Sequence, residues 1–336
     1  MEDSPSGNMA VSWDVEQQVR ESVAGVDIGI ESAWAVYEQI PQRRKVTVAL
    51  IDTGVDITHQ ELCGSIWMNT DEIPGDGIDN DHNGYIDDIN GWNFYSGTSQ
   101  IFGGTEDDHG THGAGTIAGA WDGQGISGIG DSNYVKIMVL KVLGSQDGKG
   151  VSTGVKRAIR YAEDNGADIC NLSMGTLSYD EELDHMIRDS SMLFVVSAGN
   201  GDAAGQGYDI DDLPMYPACY PYENIITVGN LMFDGTMDET SNYGAVNVDI
   251  AAPGTYILGA VPSGYAFMTG TSMAAPMVAG TAALIYSCRT DLSLTKVREA
   301  IINTARPMEG LYHKTATGGM LNAYGAITYG RQRTEP

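Results

Sequence analysis

"VKIMVLKVLGSQDGKGVSTGVKRAIRYAEDNGADICNLS", residues 135–173, decides the fold. Its first eight residues form a short, nearly unbroken apolar run, as does "DICNLS" at its end. Between them Val155, Ala158, Ile159 and Ala162 recur at i, i+3, i+4 and i+7. That spacing puts one apolar stripe on a helix. Ser152 or Thr153 is placed to cap its start and Gly166 to end it. The stretch reads strand, helix, strand. Apolar runs without alternation belong to strands covered on both faces, which is the parallel arrangement.

Working outward, "VTVALID" (46–52), "LFVVSAGN" (193–200) and "IITVGN" (225–230) repeat the buried-strand pattern, and "DEELDHMIRDS" (180–190) reads as a second amphipathic helix. The expected fold class is α/β: a single domain with a mostly parallel, twisted β-sheet and helices on both faces. In such sheets functional groups gather at the carboxyl ends of strands. Asp52, Ser173, Ser197 and Asn200 stand at such ends.

Composition narrows the function. The chain has 336 residues, 42% hydrophobic, enough for a large core. With 18 Lys+Arg against 45 Asp+Glu, the net charge is −27. Nucleic-acid phosphates would be repelled. No apolar run reaches transmembrane length, so no membrane partner is expected. The first residues, "MEDSPSGNMAVSWDVEQQ", show neither a basic n-region nor an apolar h-region, so no signal peptide is read there. The four cysteines have no CxxC spacing and allow three pairings, with buried free thiols the expected state.

The chemistry lies in three stretches. "GTSMAAPMVAGTAAL" (270–284) puts Ser272 at the start of an apolar helix, where free N–H groups favour developing negative charge. Pro276 is expected in the first turn. A serine nucleophile needs a base, and the base an orienting carboxylate. "DDHGTHGAG" (107–115) supplies His109, and "DTGVD" supplies Asp52. The pair His109 and His112 lacks the H-x-x-x-H spacing and nearby Glu of a zinc helix, so His112 is expected to be structural. "GQGISG" (123–128) follows a helix and precedes a strand, the reverse of a dinucleotide fingerprint.

Taken in order, "ALIDTGVD", "HGTHGAGTIAG" and "GTSMAAPMVAG" resemble the three active-site motifs of the subtilisin-like serine proteases, the subtilases; "VVSAGN" resembles that family's oxyanion stretch. The resemblance runs from about Val46 to Ala326. It implies a serine endopeptidase with Ser272 as nucleophile, His109 as general base and acid, and Asp52 as the group that orients His109. It further implies an oxyanion hole formed by Asn200 and the Ser272 N–H. An extended polypeptide substrate would lie between Asn171–Thr176 and the edge 143–150, which contains Gly148. Ser173, Met174 and Gly175 would line the pocket for the residue before the cut, with Ser197, Ala198 and Gly199 as its far wall. Met174 favours apolar side chains there; Asp202, Asp209, Asp211 and Asp212 would favour basic ones if they faced it. The expected organisation is an N-terminal wrapping segment (1–45), a catalytic domain (46–330) and a tail (331–336).

"DGIDNDHNGYIDD" (76–88) places Asp79, Asp81 and Asn83 at positions 1, 3 and 5 of an EF-hand-like loop, with Gly84 at the turn. Tyr85 would offer its carbonyl. Asn90 stands where the closing Glu belongs, so Asp87 or Asp88 is expected to replace it. Calcium is the expected cofactor, in an insertion spanning about 69–95. By resemblance, a second calcium site would use Glu61 and Asp122. Residues 1–45 are shorter than the prodomain usual in the family, so an inhibitory prodomain absent from this chain is an expected partner. The calcium loop favours a secreted or cell-surface enzyme; the missing signal peptide keeps a cytoplasmic one open. Two other functions compete: a subtilase that passes its acyl group to an amine, as in macrocyclisation, and a catalytically silent binding protein.

Overall fold

The computed structural model describes residues 22–144, 152–202 and 204–331; Gly148, with most of the groove edge 143–150, lies outside them. In chain order the strands are β1 (Val46–Asp52), β2 (Gly91–Asn93), β3 (Val135–Lys141), β4 (Ile169–Leu172), β5 (Leu193–Ser197), β6 (Ile225–Leu231), β7 (Ile250–Pro253), β8 (Ile257–Val261), β9 (Gly264–Met268), β10 (Arg306–Pro307) and β11 (Gly319–Met320). The helices are α1 (Ile30–Glu38), α2 (Asp108–Ala118), α3 (Ser152–Asp164), α4 (Glu181–Asp189), α5 (Thr271–Cys288), α6 (Leu294–Asn303) and α7 (Ala323–Thr328).

Nine strands form one sheet in the order β10-β11-β7-β6-β5-β4-β1-β3-β2, with β8 and β9 a separate hairpin. Every pairing in the large sheet is parallel except β10 with β11. The apolar runs explain this: alternate residues of β1 serve two cores. Val46, Val48 and Leu50 pack with Val278 and Ala282 of α5, while Ala49 and Ile51 pack with Ile159 and Ala162 of α3. This is the mostly parallel α/β sheet with helices on both faces that the sequence predicts.

β3 and β4 flank β1 on opposite sides. The sheet therefore changes its direction of growth at β1, and a crevice opens beyond the carboxyl end of that strand. Asp52 is the last residue of β1.

Two local expectations need correction. Ser152 and Thr153 lie inside α3, so neither is its cap; the Ser152 hydroxyl donates to Asp180 at 2.9 Å instead. Pro276 falls in the second turn of α5, where its missing N–H leaves the Ser272 carbonyl without its helical donor. The Ser173 hydroxyl supplies one, at 3.3 Å. The four cysteines are free.

Candidate active site

Asp52 and His109 meet above the end of β1. His109 Nδ1 lies 2.7 Å from Asp52 Oδ1, and the Thr53 N–H donates to the same oxygen at 2.7 Å. Asp52 is 2% exposed, whereas the His109 side chain is 30% exposed. One face of the imidazole is thus anchored on a buried carboxylate and the other is open. The charge of Asp52, with its hydrogen bond, outweighs desolvation and holds the His109 pKa above its ordinary value.

α2 reaches this position because its first turn packs onto the loop after β1. The Thr53 hydroxyl accepts from the Gly110 N–H at 3.1 Å. A Cβ on Gly110 would lie 2.2 Å from the Gly54 carbonyl oxygen, so only glycine permits this approach. Beneath it lies a buried ion pair that sequence reading missed. Lys141 Nζ, at the end of β3 and in register with Asp52, donates to both the Asp107 carboxylate and the Thr53 carbonyl. Asp107 also accepts from the Gly103 N–H at 2.6 Å. Lys141 therefore ties the segment after Asp52 to the turn before His109. The available signal was a lysine closing an otherwise largely apolar strand.

His112, one turn on, faces elsewhere. Its Nε2 lies 2.8 Å from the Ile257 carbonyl, burial lowers its pKa, and its Nδ1 is buried without a partner. A neutral ring donating to β8 accounts for this geometry.

Ser272 is the second residue of α5. Its hydroxyl donates to the Ser173 carbonyl at 3.3 Å rather than to His109. Such bonds often form only with substrate in place. Asn200 approaches through its neighbour: Oδ1 accepts from the Thr271 N–H at 2.8 Å and its hydroxyl at 2.9 Å. Since a backbone N–H can only donate, the amide oxygen must face Thr271. Nδ2 is left to point the other way as a free donor.

The two expected pocket walls follow β4 and β5. Thr176 is occupied, exchanging both backbone hydrogen bonds with Tyr216. Outside the ladders, no backbone hydrogen bond engages Met174 or Gly175 among the described residues. Those two residues keep a free edge that an extended chain can pair with. A cavity of about 280 Å³ opens beside them, lined by Leu143, Val155, Met174, Tyr179 and Tyr216 among others. Two carboxylates of the acidic loop are taken up by backbone amides. Asp202 accepts from the N–H groups of Ala204 and Gln206, and Asp211 from those of Val246 and Asn247.

In the acidic stretch expected to be an insertion, Asp79 accepts from the Asn83 and Gly84 N–H groups, and Asp87 from those of Gly75 and Gly77. Asn83 Oδ1 accepts from the Tyr85 N–H, and the Tyr85 ring packs edge-on against Trp92, Phe94 and Tyr161. Asp81 and Asp88 converge with Glu72, their carboxylates offering oxygens within 4.8 Å of one another. Asp88 is fully buried and accepts from Tyr161 at 2.5 Å and from the amides of Asn69 and Asn83 at 2.9 Å. Glu72 was not among the expected ligands. It lies upstream of the motif, and only the loop's return path brings it in. None of the ion pairs among the described residues involves this insertion. Elsewhere, Glu61 is buried with Oε2 unpartnered; its Oε1 accepts from Tyr265 and abuts Gly125 in the loop after α2. Asp122 is exposed and accepts from the Gln124 N–H at 2.9 Å.

No helix among the described residues is long and apolar enough to cross a membrane. Residues 43–326 match the family described as "Subtilase family". The chain is 36% identical over 278 residues to the "Intracellular serine protease" of Paenibacillus polymyxa, covering 80% of this chain and 74% of that one. It is 30% identical over 302 residues to "Subtilisin-like protease 1" of Plasmodium berghei (strain Anka); the match takes in 83% of this chain but 49% of the longer parasite protein. Among solved structures, "Structure of Prenylagaramide maturation protease PagA" superposes with a TM-score of 0.66 at 26% identity, covering 91% of this chain and 98% of that one.

Proposed function

This chain belongs to the subtilase family and is a subtilisin-like serine endopeptidase; from that premise we propose that Ser272, His109, Asp52 and Asn200 carry its catalysis. Ser272 Oγ attacks the scissile carbonyl as His109 takes its proton. Asp52 stabilises the imidazolium and holds the ring. The carbonyl oxygen, now negative, accepts from Asn200 Nδ2 and the Ser272 N–H. His109 then protonates the leaving amine, and water, deprotonated by the same ring, hydrolyses the acyl-enzyme. The observation that carries this reading is the 2.7 Å contact between His109 and a buried Asp52, open on the far side of the ring.

An extended polypeptide would pair with Met174 and Gly175. Its side chain before the cut would enter the gap between Ser173–Gly175 and Ser197–Gly199. Calcium is the proposed cofactor. The donor set fits a hard cation, being three converging carboxylates that no lysine or arginine neutralises among the described residues. Glu72, Asp81 and Asp88 would hold the ion, while Asp79 and Asp87 shape the turns around it. Bound calcium supplies positive charge that lets these carboxylates stay close together. The unpartnered Glu61 oxygen supports a second site against the loop after α2.

The test is product analysis by mass spectrometry on a linear peptide, with rapid quenching to trap the acyl-enzyme. Linear products and a transient acyl adduct on Ser272 are expected. Cyclised or aminolysed products would favour the transferase reading. A folded protein yielding neither adduct nor product would favour the silent one.

A further inference from the structure

One side chain in the groove has no role in the catalytic reading. Gly175 and Gly199 stand on the two facing walls. A Cβ built on Gly175 would lie 3.0 Å from both Cγ and Sδ of Met215, and one on Gly199 would lie 2.5 Å from the same sulfur. The Met215 thioether therefore touches both walls at once and occupies the space between them.

Methionine is adaptable, so a side chain in a gap does not by itself close it. Here the surroundings hold it. Tyr216, the next residue, is bonded to Thr176 at the end of one wall, at 2.7 and 2.9 Å. On the other side Asn242 Nδ2 approaches the sulfur at 3.9 Å. Asn242 is fully buried and bonded to the second wall throughout. Its N–H donates to the Gly199 carbonyl at 2.9 Å and its Nδ2 to the Ala198 carbonyl at 3.0 Å, while its Oδ1 accepts from the Gly201 N–H at 3.0 Å. Moving the sulfur out of the gap would sacrifice packing on both walls. The Asp202 carboxylate is engaged with backbone amides of its own loop, and that of Asp211 with the amides of Val246 and Asn247. A long basic side chain would find neither depth nor a counter-charge from these two.

We propose that Met215 sets the specificity of this enzyme by filling the pocket for the residue before the cut, so that its substrates are polypeptides cleaved after small residues, Gly, Ala or Ser. The inference rests on the catalytic reading above and on its assignment of the two walls.

The test is kcat/KM on a peptide series varied only at the residue before the cut, for the full chain and for Met215→Gly and Met215→Leu. The unaltered enzyme is expected to favour Ala, Gly or Ser over Phe and Leu by at least about tenfold. Met215→Gly is expected to raise kcat/KM for Phe and Leu by about 10- to 100-fold, and Met215→Leu to keep the original ranking. Equal cleavage after Phe, Leu and Ala by the unaltered enzyme would overturn the proposal. So would a folded Met215→Gly with an unchanged ranking. The ranking of the unaltered enzyme needs no variant, so a Met215→Gly that fails to fold does not shield the proposal. Labelling of Ser272 by a fluorophosphonate in the same samples separates the two levels. Labelled enzyme that prefers large residues overturns the specificity alone; folded, unlabelled, inactive enzyme overturns the catalytic reading and this inference with it.

Discussion

Two regions of this molecule bury carboxylates, and they treat the charge in opposite ways. At the end of β1, Asp52 has His109 and Asp107 has Lys141, each carboxylate facing a group that is or becomes positive. In the acidic loop, Glu72, Asp81 and Asp88 converge among amides, a tyrosine hydroxyl and other carboxylates, and no ion pair among the described residues reaches them. Buried charge is costly unless compensated. The end of β1 carries its compensation within the chain; on the calcium proposal, that of the acidic loop would come from solution. The first region should therefore be indifferent to chelators in its local geometry, and the second should depend on them.

The comparison can be broken most severely at the triad. Asp52→Asn should leave the backbone intact and lower kcat by roughly 10⁴-fold, because the imidazolium loses its partner and the ring its orientation; steady-state kinetics on one peptide would show it. Asn200→Ala should cost about 100- to 1,000-fold in kcat with little change in KM, since the amide acts on charge that exists only in the transition state. An equal rise in KM would instead mean that Asn200 binds substrate.

Lys141→Met tests the internally compensated pair. It leaves Asp107 buried and uncompensated, and should lower stability by about 3–5 kcal/mol with or without calcium, as read by urea unfolding. Glu72→Gln should behave differently. Its destabilisation should appear in calcium and largely vanish in chelator, where the unaltered protein has also lost its ion. At a calcium concentration 100 times Kd, that difference is about 2.7 kcal/mol. Parallel losses under both conditions would erase the contrast between the regions.

The smallest effect is on the pH profile. His109 must be neutral to accept the Ser272 proton, and Asp52 holds its pKa above 6.5. Activity should therefore fall as pH drops through that raised value. In Asp52→Asn the acid limb of the residual activity should move to lower pH.

The sequence made the proposed catalytic end legible because the sheet places Asp52 and the helix carrying His109 at one strand end. Asp52 ends an apolar run, and His109 and Ser272 each open a helix, so each motif carries its own local structure. The buried runs likewise foretold the parallel sheet. Lys141 and Glu72 were harder to see, since their partners lie 34 and 9 or more residues away and depend on strand register and the path of a loop. Met215 was invisible for the same reason; it lies against Gly175 and Gly199, next to the bridge between Tyr216 and Thr176. Pro276 misled by one helical turn because the helix opens at Thr271, ahead of Ser272. The EF-hand-like spacing pointed to the acidic loop, where Asp79 and Asp81 share the Asn83 N–H and the Asp87 N–H donates to Glu72.

The central claim is that Ser272 is an activated nucleophile served by His109 and Asp52. Fluorophosphonate labelling of the calcium-loaded protein, with the adduct mapped by mass spectrometry, tests it most directly. The account predicts a single adduct on Ser272, with labelling slowed severely in His109→Ala. A folded protein that takes no label, labels at another residue, or labels equally fast without His109 would contradict it.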